Sequence, residues 1–274
     1  MSVEALASFE AKWALLQPEL PLALRFCQAP IRPLISAFTC LSNEINHAAF
    51  HIVENEVATT KLNWWAEELT GLSVGKPRHP LTEVLARFEL IRSVHANQWA
   101  SVIHGAFFQR EAQPASSANA MMAMYLRVLG PLAEIEARLN SKLAPDALAQ
   151  AAARARCLHE TARLNDLLER DRLPLPLDLL AKHQLSRAEL AHPSESRVLA
   201  LREHFAGLAA SFDAVDRNGL SPLAAMRLSA DHQRSRRAAC ARDPLDEITR
   251  NLDRLPLSSV WAGWRAARRM QASG

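Results

Sequence analysis

AFTCLSNEINHAAF (residues 37–50), KLNWWAEEL (61–69) and KPRHP (76–80) follow one another closely, and their reading decides the fold. Leu34, Phe38, Leu41, Ile45 and Ala48 recur at three- and four-residue steps, one apolar stripe on a helix predicted over 32–50. Cys40, Asn43, Glu44, His47 and His51 fall on a different face of the same wheel. The residues alone leave two readings of that polar strip: a face in water, or a face turned over an internal site. In the second segment Trp64 and Trp65 point about 100° apart on a helix, so one packs in the core and the other against a neighbour. Glu67 and Glu68 read as surface acids or as partners for Lys61.

Outward from these segments the chain reads as helix almost throughout. Its 274 residues are 49% hydrophobic and 22% charged, which suits one soluble domain over 1–274 with a large core. Tyr occurs once, while Ala, Leu and Arg abound, a balance that favours helix over strand. Prolines punctuate long proline-poor stretches, predicting helices at 2–16, 53–72, 80–92, 96–110, 116–138, 146–170, 187–216, 221–240 and 257–271. The formal net charge of +3 is too small to argue for nucleic acid, and the basic run RSRRAACAR (234–242) lacks interleaved aromatics. That run reads as a solvated helix face. Cys27, Cys40, Cys157 and Cys240 show no C-x-x-C spacing and suit a reducing compartment. Without a signal pattern or an apolar run of about 18 residues, a cytoplasmic location is expected. The segment 257–274 pairs Trp261 and Trp264 with Arg265, Arg268 and Arg269. Such a basic amphipathic helix suits peripheral contact with an anionic membrane, or docking on its own domain.

The three opening segments, together with LPLPLDLL (173–180), resemble the squalene/phytoene synthase family, helical enzymes that join two prenyl diphosphates head to head. In that family the first segment ends in Asp-x-x-x-Asp, the second reads Trp-Trp-Arg-x-Glu-Leu, and His-Pro follows. Here Ala66 replaces the Arg. The resemblance implies an all-α isoprenoid synthase fold with helices around a central apolar cavity. It also implies a prenyl diphosphate or other apolar ligand, and magnesium as cofactor if the chain is active. The methionines of ASSANAMMAMYLRVLG (115–130) then belong to the core or line an apolar tunnel.

The frame is present, but the acids are not. Magnesium wants oxygen ligands, and Asp at i and i+4 on one helix face supplies a pair. Asn43 and His47 stand at the first motif's acid positions, with Glu44 in the middle acidic place. A neutral amide and an imidazole are poor substitutes, although His47 and His51 with Glu44 have the spacing of a zinc site. The second motif falls in HETARLNDLLERDRLPLPLDLLAKHQLS (159–186). Ungapped, it places Arg163 and Leu167 at the Asp positions. The preferred gapped register places Asp166 and Arg170 there, with Glu169 between. The candidate catalytic positions are therefore Asn43, Glu44, His47, Asp166 and Glu169. Those for phosphate are His159, Arg163 and Arg170, because a guanidinium fork binds phosphate without a metal. Glu44, Asp166 and Glu169 are magnesium ligands only if the chain is an enzyme. His159, Arg163, Asp166 and Arg170 also read as a simple ion-pairing face.

Two function readings follow. One is a catalytically silent binding or assembly protein, similar to the family branch that lacks the acids and is linked to assembly of respiratory complex I. The other is a divergent magnesium-dependent prenyltransferase. Convergence of Glu44, Asp166 and Glu169 favours the second; their lying on separate surfaces favours the first.

Overall fold

The computed structural model describes residues 2–272 and contains no strand among them. The helices that position the site are α1 (Ser2–Leu16), α2 (Glu19–Arg25), α3 (Arg32–Phe50), α4 (Asn55–Ser73), α5 (Pro80–Leu85) and α6 (Glu89–Arg92). They are followed by α7 (Ala96–Glu111), α8 (Ala118–Arg138), α9 (Pro145–Ala162), α10 (Leu164–Glu169) and α11 (Leu177–Lys182). The chain continues with α12 (Arg187–Leu190), α13 (Glu195–Asp213), α14 (Pro222–Cys240), α15 (Pro244–Asn251) and α16 (Leu257–Gln271). Proline sits in the first turn of α3, α5, α9, α14 and α15, where its missing N–H costs nothing.

Three expected helices are divided. The stretch 80–92 splits into α5 and α6, and 187–216 splits at Pro193, which cannot continue a helix. The stretch 146–170 breaks at Arg163, whose φ of −98° and ψ of 22° turn α9 into α10. Pro131 is the opposite case, because it lies inside α8. It leaves the carbonyl of Arg127, four residues back, without its helical donor. Gly105 of α7 packs there: a Cβ at 105 would lie 2.9 Å from the Arg127 carbonyl oxygen. A glycine is required for that approach.

The quoted motifs are explained first by packing. The apolar stripe of α3 is fully buried, and Trp65 is buried beside half-exposed Trp64, as expected. The rings of Trp64, Trp65 and Phe9 all meet His79 edge-on. Glu68 is not a surface acid. It is completely buried and accepts hydrogen bonds from the backbone N–H groups of Arg78 (2.8 Å) and His79 (2.9 Å) and from the Thr82 hydroxyl. Burial alone would raise its pKa, but these donors hold the carboxyl below the usual range. The acid of the Trp-Trp segment thus fixes the Arg-His-Pro loop, and the spacing between the two segments is structural.

Candidate functional site

Helices α3, α8, α9 and α14 surround a cavity of about 540 Å³, lined also by the α1–α2 junction and by Leu252 and Leu255 beyond α15. That volume falls within the usual range of small-molecule sites, about 300–1,000 Å³. Each wall follows helical spacing. From α9 come Leu148, Ala151, Ala152, Ala155, Arg156 and His159, with Arg163 at the break. From α3 come Phe38, Thr39, Ser42, Asn43, Asn46 and His47, followed by His51 just past the helix end. From α14 come Leu223, Ala224, Arg227, Ala230, Asp231 and Arg234. On α9 the lining is apolar up to Ala155 and charged from Arg156 onward; on α3 Phe38 gives way to polar residues, and on α14 Leu223 and Ala224 give way to Arg227, Asp231 and Arg234. One cavity therefore has an apolar part and a cationic part. The methionines of α8 do not line it; Leu129, Leu132 and Ala133 do, and Met121 is in the core.

The cationic part centres on His51. Its Nδ1 lies 2.7 Å from Arg163 Nη1 and its Nε2 lies 3.1 Å from Arg156 Nη1. Burial, then the charges of Arg156 and Arg163, push its pKa down to about 2, so the ring is neutral. A neutral imidazole has one N–H and one lone pair, so it accepts from only one of the two guanidinium groups. Arg156 Nε and the acceptors Asn46 Oδ1 and Glu160 Oε1 are also buried without a hydrogen-bond partner, as is His47 Nδ1. With His51 neutral, Arg156 and Arg163 give this end of the cavity its positive charge. Two carboxylates balance it: buried Glu160 is 3.6 Å from Arg156, 3.9 Å from Arg163 and 3.6 Å from Arg172, and exposed Asp166 accepts from Arg163 Nη2 at 3.3 Å. The other cavity-lining cations are paired, Arg227 with Glu19 at 2.8 Å and Arg234 with Asp231 at 2.6 Å. Arg234 corrects the solvated-face reading of 234–242. It is buried, and it also donates to the carbonyls of Asn251, Leu252 and Arg254, so it anchors the turn into α16.

The candidate residues from sequence divide sharply. Asn43, His47, His159 and Arg163 line the cavity. Asn43 exchanges two hydrogen bonds with Gln17 (3.0 and 2.9 Å), and His159 lies 3.4 Å from Asp231. Glu44 does not line it. Its carboxylate is held by Lys12, by Lys61 at 2.8 Å and by Trp13 Nε1 at 3.2 Å. Burial favours its neutral form, but the two ammonium groups outweigh this and keep it ionised below the usual range. Asp166 and Glu169 are exposed on α10, and Arg170 ends that helix at the surface, paired with Asp166 at 3.5 Å.

These positions do not bring the conditional metal set together. Glu44, Asp166 and Glu169 do not converge, and no group of three His, Cys, Asp or Glu able to hold a metal occurs among the described residues. The zinc spacing fails too: the rings of His47 and His51 stack at 5.7 Å, and both nitrogens of His51 face arginines. The cavity residues fit a magnesium ion poorly: its lining carboxylates Glu19, Glu136 and Asp231 are engaged by Arg227, Ser221 and Arg234, and Arg156 and Arg163 repel a cation. In the gapped register Asp166 and Arg170 lie beyond the break at Arg163 and do not line the cavity, although Asp166 holds Arg163 Nη2 from outside at 3.3 Å. The ungapped one succeeds only at Arg163, because Leu167 is core. Arg156 was missed, although it lies one turn before His159 and Glu160 on a stripe of small residues, the signal that could have found it.

No family model matches the chain, and no curated protein matches it in sequence. Solved structures do match in fold. A crystal structure of a dehydrosqualene synthase in complex with ligand aligns with TM-score 0.74 and 9% identity, covering 100% of this chain and 98% of that one. Squalene synthase HpnC from Alicyclobacillus acidocaldarius aligns with TM-score 0.64 and 9% identity, covering 99% and 93%. The chain has the isoprenoid synthase fold of squalene-synthase type. A fold at this identity carries no chemistry with it, so function rests on the side chains.

Proposed function

We propose that this chain is a binding protein of isoprenoid synthase fold, which holds a ligand with an apolar chain and an anionic, diphosphate-like head without a metal. One observation carries the reading. Where the resemblance leads one to expect magnesium-binding acids, the cavity presents Asn43, His47, His51, Arg156 and Arg163, and Glu44 is turned away onto two lysines. Arginine takes the place of arginine-repelled metal: a guanidinium fork gives phosphate two charge-assisted hydrogen bonds in fixed geometry. The apolar half supplies the rest of the binding free energy at about 25 cal/mol per Å² covered.

The same arrangement argues against turnover. Ionising a prenyl diphosphate needs charge stabilisation that grows in the transition state, and electrostatics is usually the largest catalytic contribution. Static arginines already engaged with His51 and Glu160 are a binding device. Service as an assembly protein for respiratory complex I belongs to this proposal through the sequence resemblance alone.

Arg163→Met tests it, because methionine keeps the apolar stem and removes the fork. Affinity for a non-hydrolysable farnesyl diphosphate analogue should fall about 10- to 100-fold, the worth of one charge-assisted pair. Affinity for farnesol should stay unchanged. Equal affinities of wild type and variant for the diphosphate analogue would remove the anion site from the account.

A further inference from the structure

Helix α16 has two faces of different character. Ser259, Gly263, Ala266 and Ala267 are buried, and Gly263 allows the close approach to α14: a Cβ there would lie 2.7 Å from Met226 Sδ. On the opposite side, at about 100° per residue, stand Leu257, Trp261, Trp264, Arg265 and Arg268. Leu257 is 87% exposed, Trp261 55% and Trp264 39%. The two indoles stack on each other at 4.5 Å, and Arg268 lies over Trp264 at 5.6 Å. Large apolar side chains at i, i+4 and i+7 with nothing over them make a patch, whereas scattered single ones would not.

The charge carried by the helix itself has one sign. Leu257–Gln271 holds Arg265, Arg268 and Arg269 and no Asp or Glu, and Asp253 is the nearest acid before it in sequence. Arg269 is tied to Asn218 and to the Arg217 carbonyl, but Arg265 has no acidic partner among the described residues. No described helix is long and apolar enough to cross a membrane, so contact with a bilayer would be with its surface. Tryptophan and arginine side by side on one helix face match that surface: indole rings settle at the headgroup level and guanidinium groups meet anionic lipid.

We propose that the outer face of α16 docks the protein onto an anionic membrane surface. Leu257, Trp261 and Trp264 enter the interface, and Arg265 and Arg268 meet lipid phosphates. The helix begins beside the cavity, because cavity-lining Leu255 lies two residues before Leu257. Docking there brings the cavity close to a store of apolar molecules. The docking itself does not depend on what the cavity binds.

Co-sedimentation of the full chain with vesicles tests this. The wild type should sediment with phosphatidylcholine vesicles containing phosphatidylglycerol and stay in the supernatant with phosphatidylcholine alone. Added salt should weaken the binding. Arg265→Gln with Arg268→Gln should lower the partition coefficient about thirtyfold, and Trp261→Ser with Trp264→Ser should lower it tenfold or more. All four side chains are exposed, so thermal midpoints should stay put, and so should affinity for the farnesyl diphosphate analogue. Failure of the wild type to sediment with anionic vesicles, or equal sedimentation of the variants, overturns the proposal. A wild-type dimer in gel filtration that Trp261→Ser with Trp264→Ser dissolves also overturns it, by assigning the face to a second copy.

Discussion

Between pH 6.5 and pH 4.5 His51 and His204 should each withdraw roughly 2 kcal/mol of unfolding free energy, against the 5–15 kcal/mol typical of a domain. The cause is buried neutral histidine. His204 is enclosed between the Thr161 hydroxyl at 3.0 Å and Cys157, and burial pushes its pKa down to about 4. His51 is pushed down to about 2 by burial and by its two arginines. In the unfolded chain both take up a proton near pH 6.5, so below that pH the unfolded state binds more protons than the folded one. Stability therefore rises with pH across this window, by about 1.4 kcal/mol per unit for each histidine. The depressed carboxylates act elsewhere. Glu44, Glu68 and Asp231 keep their contribution above their unfolded pKa and lose it only as pH falls through the lower folded value. Urea unfolding at a series of pH values checks this, and His51→Gln should lower the slope by about 1.4 kcal/mol per unit. A flat profile from pH 7 to pH 5 would mean that neither ring is held neutral.

Glu160→Gln should cost about 3–5 kcal/mol, the usual penalty for stripping a buried ion cluster of one sign. Glu160 is 1% exposed and is the carboxylate shared by Arg156, Arg163 and Arg172. Arg156 has little else to balance it: its guanidinium lies over the Phe50 ring at 4.2 Å and contacts His51. Without the acid, three guanidinium groups repel one another beside the cavity. An anion in the cavity should then restore what was lost, so inorganic diphosphate should raise the thermal midpoint of the variant much more than that of the wild type. Equal shifts would mean that the cluster does not reach the cavity.

The sequence read well where physics is local. The apolar stripe of α3, the ends of α1 and α16 and the proline-led starts of α9 and α14 follow from spacing and punctuation, and they lie where expected. The short helix α15 was missed although Asp243 before Pro244 caps it, accepting from the N–H groups of Leu245 and Asp246. Its start looked like a helix end. The candidate site was legible only in part. Helical spacing grouped Asn43 with His47 and His159 with Arg163, but only the family resemblance pointed to those positions as a site, and all four line the cavity. The fate of Glu44 depended on Lys12 and Trp13, more than thirty residues earlier, and no local pattern encodes such a meeting. The break at Arg163 has no glycine or proline to announce it. That one turn removed Asp166 and Glu169 from the site.

Calorimetric titration with a non-hydrolysable farnesyl diphosphate analogue, once in EDTA and once in excess Mg²⁺, tests the metal-free binding site most directly. Arg156, Arg163 and His51 as the head-group site require binding of the same affinity in both buffers. Binding that appears only with Mg²⁺, or binding in neither buffer, would contradict it.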